Sequence, residues 1–194
     1  PVRVTMDGGM GFWKTLGAVL VVALLIVVPL KAVGSEAEKS CGTVECDHFV
    51  PALSDQASLQ RGAKYFVSYC MGCHSMKYAR YERTATDLGI PLPLAQENLI
   101  FDDAKIGDLM YNAMPAKLGK TWFGATPPDL TLISRARSPE YIYTYLRNFY
   151  RDDSPSRAWG VNNRVFKDVA MPHALLELQG LPECAPGPVF SHNG

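Results

Sequence analysis

The chain has 194 residues, of which 47% are hydrophobic and 20% are charged. A chain of this length and composition can bury one sizeable core, so a single globular domain is expected. Its 19 basic and 19 acidic residues give a formal net charge of +0. Without residues 1–40 the chain has 15 basic and 16 acidic residues. This balance argues against nucleic acid as a partner, because no basic excess would meet the phosphates.

A hydrophobic segment near the start is the first predicted element, and it would form an N-terminal hydrophobic helix. The sequence TLGAVLVVALLIVVPL between Lys14 and Lys31 contains no charged residue. At about 16 residues it is shorter than the roughly 20 that span a bilayer, and basic residues precede it as in a signal peptide. We interpret residues 1–34 as a signal peptide, with an N-terminal membrane anchor as the alternative. Either would place the rest of the chain outside the cytoplasm.

A polar linker is predicted over residues 35–50, and the folded domain over residues 51–194. The linker contains Cys41 and Cys46, and the domain contains Cys184. Disulfides are expected in an exported protein, but three thiols cannot all pair within one chain. The sequence leaves open whether Cys41 pairs with Cys46 or one of them pairs with Cys184.

The next predicted element is a helix that leads into a pair of cysteines. Ser54 can cap a helix that begins at Asp55. Gly62 lies on the apolar side of this helix, where it either permits a close crossing by another helix or is simply tolerated. The apolar residues on that face are Leu59, Ala63, Phe66, Val67 and Cys70.

The sequence YCMGCHSMKYARY contains the pattern C-x-x-C-H at Cys70, Cys73 and His74. This pattern is typical of c-type haem attachment. Each thiol can form a thioether bond with one vinyl group of the porphyrin, and the imidazole that follows can ligate the iron. The alternatives are a redox dithiol, half of a zinc site and a structural disulfide. A dithiol does not require the histidine, and zinc would need a further pair of ligands that the sequence does not offer.

A haem iron held by His74 has a second axial position, for which the sequence offers several donors. Met114 in YNAMPAKLG and Met171 in DVAMPHALLEL each precede a proline, which favours extended backbone at the methionine. Such a residue can present its side chain from a loop. The local pattern does not choose between the two methionines. The other candidates are Met110, His48, His173 and His192.

A later helix is predicted with Ser138 as its cap and Pro139 as its first residue. The apolar side of this helix would include Ile142, Tyr145, Leu146 and Phe149.

Three blocks of sequence resemble the cytochrome c1 family, the haem subunits of the cytochrome bc1 complex, and bacterial members in particular. They are SLQRGAKYFVSYCMGCHSMKYARY, FGATPPDLTLISRARSPEYIYTYLRNFYRD and VFKDVAMPHALLEL. The resemblance runs from Leu53 to about Leu178. It implies a mainly α fold, namely a class I cytochrome c-like haem domain with long loops. The family continues with a further helix and a C-terminal membrane anchor, so we expect the chain to be truncated before them.

The resemblance also implies a set of site residues for one covalently attached haem c. It implies thioether bonds at Cys70 and Cys73 and iron ligation by His74 and Met171. Met114 would then be a packing residue. The remaining positions that match the family are Pro128 on the proximal side, after Pro127, and Arg137 with Tyr141 at a haem propionate. Arg135 is interpreted as a surface charge.

The function implied by the resemblance is electron transfer without bond chemistry. The chain would be a subunit of ubiquinol–cytochrome c oxidoreductase. It would take one electron from the Rieske iron–sulfur protein and pass it to a soluble cytochrome c or an equivalent acceptor. Cytochrome b and the membrane are the other implied partners, with the protein in the bacterial inner membrane and its haem domain facing the periplasm. The alternatives are a free-standing periplasmic monohaem cytochrome, the haem domain of another oxidoreductase, and a redox dithiol protein without haem.

Overall fold

The computed structural model describes residues 40–182 of the chain. Within this range the protein is rich in helix and has two small two-stranded sheets, so the prediction of a mainly α protein is confirmed at that level. The class I cytochrome arrangement stays a prediction. The predicted N-terminal hydrophobic helix and Cys184 lie outside the described residues. Between residues 40 and 182, no helix has both the length and the hydrophobicity needed to cross a membrane.

The helices are short, and the strands are shorter still. In chain order the elements are α1 (Gln56–Tyr65), a π-helical turn (Phe66–Cys70), β1 (Met76–Arg80), α2 (Tyr81–Asp87), α3 (Leu92–Leu99), β2 (Leu109–Met110), α4 (Ala116–Phe123), α5 (Ile133–Arg137), α6 (Pro139–Arg147), β3 (Phe149–Arg151), β4 (Val161–Asn163) and α7 (Leu176–Gln179). Strand β1 pairs antiparallel with β2, and Met76 lies opposite Met110. Strand β3 pairs antiparallel with β4, and Phe149 lies opposite Asn163.

Helix α1 begins one residue later than predicted, at Gln56. The prediction that Ser54 caps this helix is wrong, because Asp55 is the cap. The Asp55 carboxylate accepts a hydrogen bond from the backbone N–H of Ser58 at 2.9 Å. A carboxylate suits this position better than a hydroxyl, since it also interacts favourably with the positive end of the helix dipole.

The second predicted cap, at Ser138, is confirmed. The Ser138 hydroxyl accepts from the backbone N–H of Tyr141 at 3.2 Å, and Pro139 is the first residue of α6. Ser138 has φ 78° and ψ 152°, a conformation that almost only glycine adopts without strain. The chain therefore makes a sharp turn between α5 and α6.

The buried apolar residues fall into two clusters. The first joins the π-helical turn, α2, α3 and β2: its buried members are Val67, Met71, Tyr81, Ala85, Ala95, Leu99, Ile100 and Met110. The second consists of Phe149, Val161 and Val169, with Tyr145, Met171 and Leu181 packed against it. The second cluster thus contains one of the two methionines that precede a proline.

A cavity of about 240 Å³ with a mostly apolar lining lies beside α1. Gly62 is on its wall, together with Leu59, Phe66 and Val67. A Cβ atom placed at Gly62 would have no described atom within 4 Å. No element within residues 40–182 therefore crosses α1 closely at this glycine, which was one of the two interpretations of the residue.

The residues around Cys41 and Cys46 are packed on the domain, although we predicted them as part of a linker. A disulfide joins the two cysteines, whose Cα atoms are 5.2 Å apart. The backbone of Gly42 lies so close to Val165 that a Cβ atom there would be 2.2 Å from the Val165 carbonyl oxygen. Gly42 also has φ +67°, so the position requires glycine on both counts.

The same N-terminal segment also contacts helix α6. The backbone N–H of Asp47 donates to the hydroxyl of Thr144 at 2.8 Å, and the Asp47 carboxylate pairs with Arg147 at 2.8 Å. The ring of Phe49 stacks on Tyr143 with centroids 4.6 Å apart. The segment from Cys41 to Phe49, which we call the N-terminal clasp, is therefore held at both Val165 and α6.

Candidate functional site

The C-x-x-C-H motif follows a widened helical turn. Helix α1 continues into the π-helical turn, in which the N–H of Met71 donates to the carbonyl of Phe66 at 2.9 Å. The N–H groups of Cys73 and His74 then both donate to the carbonyl of Cys70, at 3.0 and 2.9 Å. These bonds gather the two thiols and the imidazole in one compact turn. Single π-helical turns within helices are frequent at functional sites, and this one was not predicted.

The two cysteines of the motif are free thiols, and both are half-buried. Burial raises the pKa of the Cys70 thiol, and the nearby Cys73 raises it further. Burial also raises the pKa of Cys73. A redox dithiol needs a lowered pKa, because the thiolate is the nucleophile. The electrostatics of this pair therefore do not favour the redox dithiol interpretation.

His74 is buried, and one of its ring nitrogens is engaged. Its Nδ1 atom lies 2.7 Å from the carbonyl oxygen of Pro128. A carbonyl can only accept, so Nδ1 donates this bond, and in the neutral ring Nε2 then keeps its lone pair. In metal-ligating histidines, a hydrogen bond from the ring nitrogen that does not bind the metal fixes the tautomer and the ring orientation. The role of Pro128 beside a bound haem stays a prediction, and the contact with His74 is compatible with it.

The backbone around Pro128 is itself held against the residues after His74. The N–H of Leu130 donates to the carbonyl of Ser75 at 2.9 Å. The N–H of Lys77 donates to the Asp129 carboxylate at 2.7 Å. These bonds keep the Pro128 carbonyl opposite the imidazole.

Met114 and Met171 have different surroundings. A Cβ atom placed at Gly119 would lie 3.0 Å from Cδ of Pro127 and 3.4 Å from Sδ of Met114, so Met114 and Pro127 flank the same glycine. Met171 packs against the second apolar cluster, and its Sδ atom is 3.5 Å from the hydroxyl of Tyr145. Burial, followed by the proximity of Tyr141, raises the pKa of Tyr145, so this hydroxyl stays protonated and can donate to the thioether.

Arg137 and Tyr141 lie close together on either side of the Ser138 turn. The guanidinium carbon of Arg137 is 5.5 Å from the centroid of the Tyr141 ring. The Tyr141 ring in turn stacks on that of Tyr145, with centroids 6.1 Å apart. A row of contacts therefore leads from Arg137 through the two tyrosines to Met171.

The contacts thus define two groups of predicted residues. One consists of Cys70, Cys73, His74 and Pro128, and the other of Arg137, Tyr141 and Met171. Tyr145 belongs to the second group, although we predicted it only as part of an apolar face. Its spacing of four residues from Tyr141, on a helix whose start was predicted, is the signal that could have identified it.

Comparison with known proteins identifies the family of the chain. The family model for the cytochrome c1 family matches residues 49–180. The chain belongs to the cytochrome c1 family. Cytochrome c1 of Allochromatium vinosum is 54% identical over 142 residues, which cover 73% of this chain and 57% of that protein. Cytochrome c1 of Rhodospirillum rubrum is 30% identical over 157 residues, covering 71% of this chain and 57% of that protein.

A third relative has a different name. A protein of Nitrosomonas europaea named ammonia monooxygenase gamma subunit is 47% identical over 134 residues, covering 69% of this chain and 56% of that protein. The chain thus spans a little over half the length of these relatives. Membership of the cytochrome c1 family implies a c-type haem. The donors described above suit one: two thiols, an imidazole with a free Nε2 and a thioether.

Proposed function

We propose that this chain is the haem-bearing part of an electron-transfer subunit of the cytochrome bc1 complex. The observation that carries the proposal is the 2.7 Å contact between Nδ1 of His74 and the Pro128 carbonyl, directly after two free thiols. This contact leaves Nε2 as a neutral donor for iron. Cys70 and Cys73 would attach the haem by thioether bonds, and His74 would ligate it.

Met171 would be the sixth ligand, and Met114 would not. Met114 and Pro127 both lie against Gly119, and Pro127 directly precedes Pro128, whose carbonyl contacts His74. Met114 therefore lies close to the segment whose carbonyl contacts His74. Met171 belongs to the other group, where Tyr145 directs a hydroxyl at its sulfur. A thioether ligand raises the reduction potential relative to a second imidazole, which suits an acceptor of electrons from a high-potential centre.

Arg137 and Tyr141 would bind a haem propionate. The guanidinium presents several donors to a carboxylate, and the Tyr141 ring supports it from one side. The positive charge of Arg137 would favour the reduced state of the iron, which carries one positive charge less.

The haem, when bound, supplies one-electron redox chemistry. The chain's residues set its potential and its access to solvent. We propose that the electron comes from a Rieske iron–sulfur protein and leaves to a soluble cytochrome c or an equivalent acceptor. Cytochrome b would be the other partner, and the haem domain would face the periplasm at the bacterial inner membrane.

The relative named ammonia monooxygenase gamma subunit favours a second candidate function. In this alternative the chain is the haem subunit of another oxidoreductase. Purification of the tagged protein from its native membranes distinguishes the two. Cytochrome b and a Rieske protein should co-purify under the first proposal, whereas a monooxygenase without them would establish the second.

The ligand assignment is tested by the Met171→Leu substitution. Leucine has a similar volume, so the packing cost should stay below about 1.5 kcal/mol while the sulfur donor is lost. We expect the ferric protein to lose the weak far-red charge-transfer band of thioether ligation. Its potential should also fall, because the soft sulfur favours ferrous iron. Absorption spectroscopy and redox titration measure both effects.

Met114→Leu is the matched control, since this methionine also precedes a proline. It should keep both the band and the potential. Loss of the band in Met114→Leu, with a normal Met171→Leu protein, would contradict the assignment.

A further inference from the structure

A buried histidine, His173, lies two residues after Met171. Its side chain is only 7% exposed. The ring stacks on Phe149, with centroids 4.7 Å apart and planes 9° apart. Phe149 is the most buried member of the second apolar cluster, against which Met171 also packs.

The Nε2 atom of His173 connects this ring to the residue directly after helix α7. It lies 3.1 Å from the carbonyl oxygen of Gly180, to which it donates. The side-chain amide nitrogen of Gln179, the residue before Gly180, donates to the carbonyl of Leu146 at 2.6 Å. Helix α7 is thereby tied both to His173 and to helix α6.

These contacts return to Met171 through two aromatic rings. Phe149 makes an edge-to-face contact with Tyr145, with centroids 5.4 Å apart. The hydroxyl of Tyr145 lies 3.5 Å from the Met171 sulfur. The residues between β4 and α7, which include Met171, form neither helix nor strand. The position of Met171 therefore depends on side-chain contacts such as these.

The buried Nδ1 atom of His173 is a cost that another contact of this histidine must offset. Within residues 40–182 it has no hydrogen-bond partner, and an unpaired buried polar atom is costly. A phenyl ring could stack on Phe149 without this cost. What the histidine adds is the bond from Nε2 to Gly180.

We propose that His173 is a positioning residue that holds the Met171 thioether in place as a ligand, through its bond to Gly180 and its stacking on Phe149. This inference rests on the proposed function, because it takes Met171 as the sixth ligand. A thioether is a weak, neutral ligand, so a small gain in the freedom of its loop increases the fraction of protein in which it is displaced.

The test is a titration of the ferric protein with imidazole, using the whole haem-loaded protein. Added imidazole must displace Met171, so its apparent affinity reports how firmly the methionine is held. His173→Phe keeps the stacking and loses the bond to Gly180. We expect imidazole to bind about fivefold more tightly, the factor that corresponds to one net hydrogen bond. The far-red band should weaken in parallel.

Two further variants separate the contributions. In His173→Gln the side-chain amide nitrogen lies near the former Nε2 position, so the bond to Gly180 should be restored and most of the wild-type affinity with it. His48→Phe replaces an exposed histidine and should leave the titration unchanged. An unchanged imidazole affinity in His173→Phe would overturn the proposal, even if the melting temperature fell.

A surface variant keeps the test decisive if His173→Phe fails to load haem. Gln179 is exposed, and Gln179→Ala removes its hydrogen bond to the Leu146 carbonyl, which ties the end of α7 next to Gly180 to helix α6. It should also tighten imidazole binding, and no change would count against the proposal. Met171→Leu distinguishes the two levels of inference. If that variant keeps the band, the ligand assignment itself is wrong. If it loses the band while His173→Phe behaves as wild type, only the role of His173 is wrong.

Discussion

Arg135 and Arg137 lie two residues apart on helix α5, and both side chains are exposed. The guanidinium of Arg137 lies over the ring of Tyr141, one turn before the tyrosine that contacts Met171. Of these two arginines, Arg137 is the one with a described contact to the tyrosines of the candidate site.

We expect Arg137→Gln to lower the midpoint potential of the haem. Loss of a positive charge next to the cofactor favours the ferric, more positive state of the iron. The absorption bands of the two axial ligands should not change, because Arg137 touches neither His74 nor Met171 directly. Redox titration followed by absorption measures both outcomes.

Arg135→Gln is the matched control and should leave the potential near its original value. Equal shifts in both variants would indicate a general effect of surface charge. An unchanged potential in Arg137→Gln would assign this arginine to the solvated surface.

At the residue scale, the sequence predicted the parts of the site that depend on near neighbours. Cys70, Cys73 and His74 are recognisable because their chemistry requires a fixed local spacing. The contact of Tyr145 with Met171 and that of His173 with Gly180 were not predicted. The first joins residues 26 positions apart. The second depends on how the chain turns back through α7 to bring Gly180 to His173, and no residue pattern in the sequence indicates this turn.

At the scale of single elements, the turn between α5 and α6 carries a local conflict. Ser138 supplies a good cap for α6, but it does so with φ 78° and ψ 152°. A non-glycine residue in this conformation costs about 1 to 3 kcal/mol. Cap chemistry and backbone conformation therefore favour different residues at this position.

Two substitutions at Ser138 should separate these terms. Ser138→Ala loses the cap and keeps the strain, so it should lower the free energy of unfolding by about 1 kcal/mol. Ser138→Gly loses only a few tenths of a kcal/mol of capping and removes the strain. We expect the glycine variant to be more stable than the alanine variant by about 1 kcal/mol or more, as measured by denaturant unfolding. Equal losses would show that the backbone does not adopt a positive φ in solution.

The start of a helix was predicted correctly where only one residue in the segment was a good cap. Within a helix proline is favoured at the first position, so Pro139 indicated that Ser138 is the cap. Ser54 and Asp55 are both good caps, and the sequence alone did not show that the carboxylate wins. The π-helical turn at Phe66–Cys70 was missed because its apolar residues also fit an ordinary α-helix.

At the scale of the whole described domain, the N-terminal clasp joins segments that are far apart in sequence. Asp47 contacts Thr144 and Arg147, which lie 97 and 100 residues further along the chain. Gly42 presses on Val165, a few residues before Met171. The clasp therefore supports both helix α6 and the start of the loop that contains the proposed ligand.

Replacing Cys41 and Cys46 together by serine should destabilise the domain by about 2 kcal/mol. The disulfide closes a loop with a sequence separation of 5, and a short loop yields only a modest restriction of the unfolded chain. Denaturant unfolding of the haem-loaded protein measures the change.

Gly42→Ala, with the disulfide intact, tests whether the clasp itself matters. The added Cβ atom cannot fit 2.2 Å from the Val165 carbonyl oxygen, so the clasp should detach and stability should fall. A Gly42→Ala protein as stable as the wild type would mean that the clasp is not packed on Val165 in solution.

These long-range contacts are also where the sequence was least informative. We predicted residues 35–50 as a linker because they are polar and follow a hydrophobic segment. The partners of Asp47 and Phe49 are on a helix that comes almost a hundred residues later, and a single sequence gives no signal for such pairs. The pairing of Cys41 with Cys46 was likewise left open, since all three arrangements satisfied the count of thiols.

The short separation of Cys41 and Cys46 also affects the order of covalent steps during maturation. Two thiols so close in sequence meet rapidly, because closing a small loop costs little entropy. They also precede Cys70 and Cys73 along the chain, so in the exported protein that we propose they would reach the oxidising side of the membrane first. Early pairing removes them as partners for thiol exchange. The chain would then keep three reduced thiols in place of five, and Cys41 and Cys46 could no longer form mixed disulfides with the two cysteines that would attach the haem.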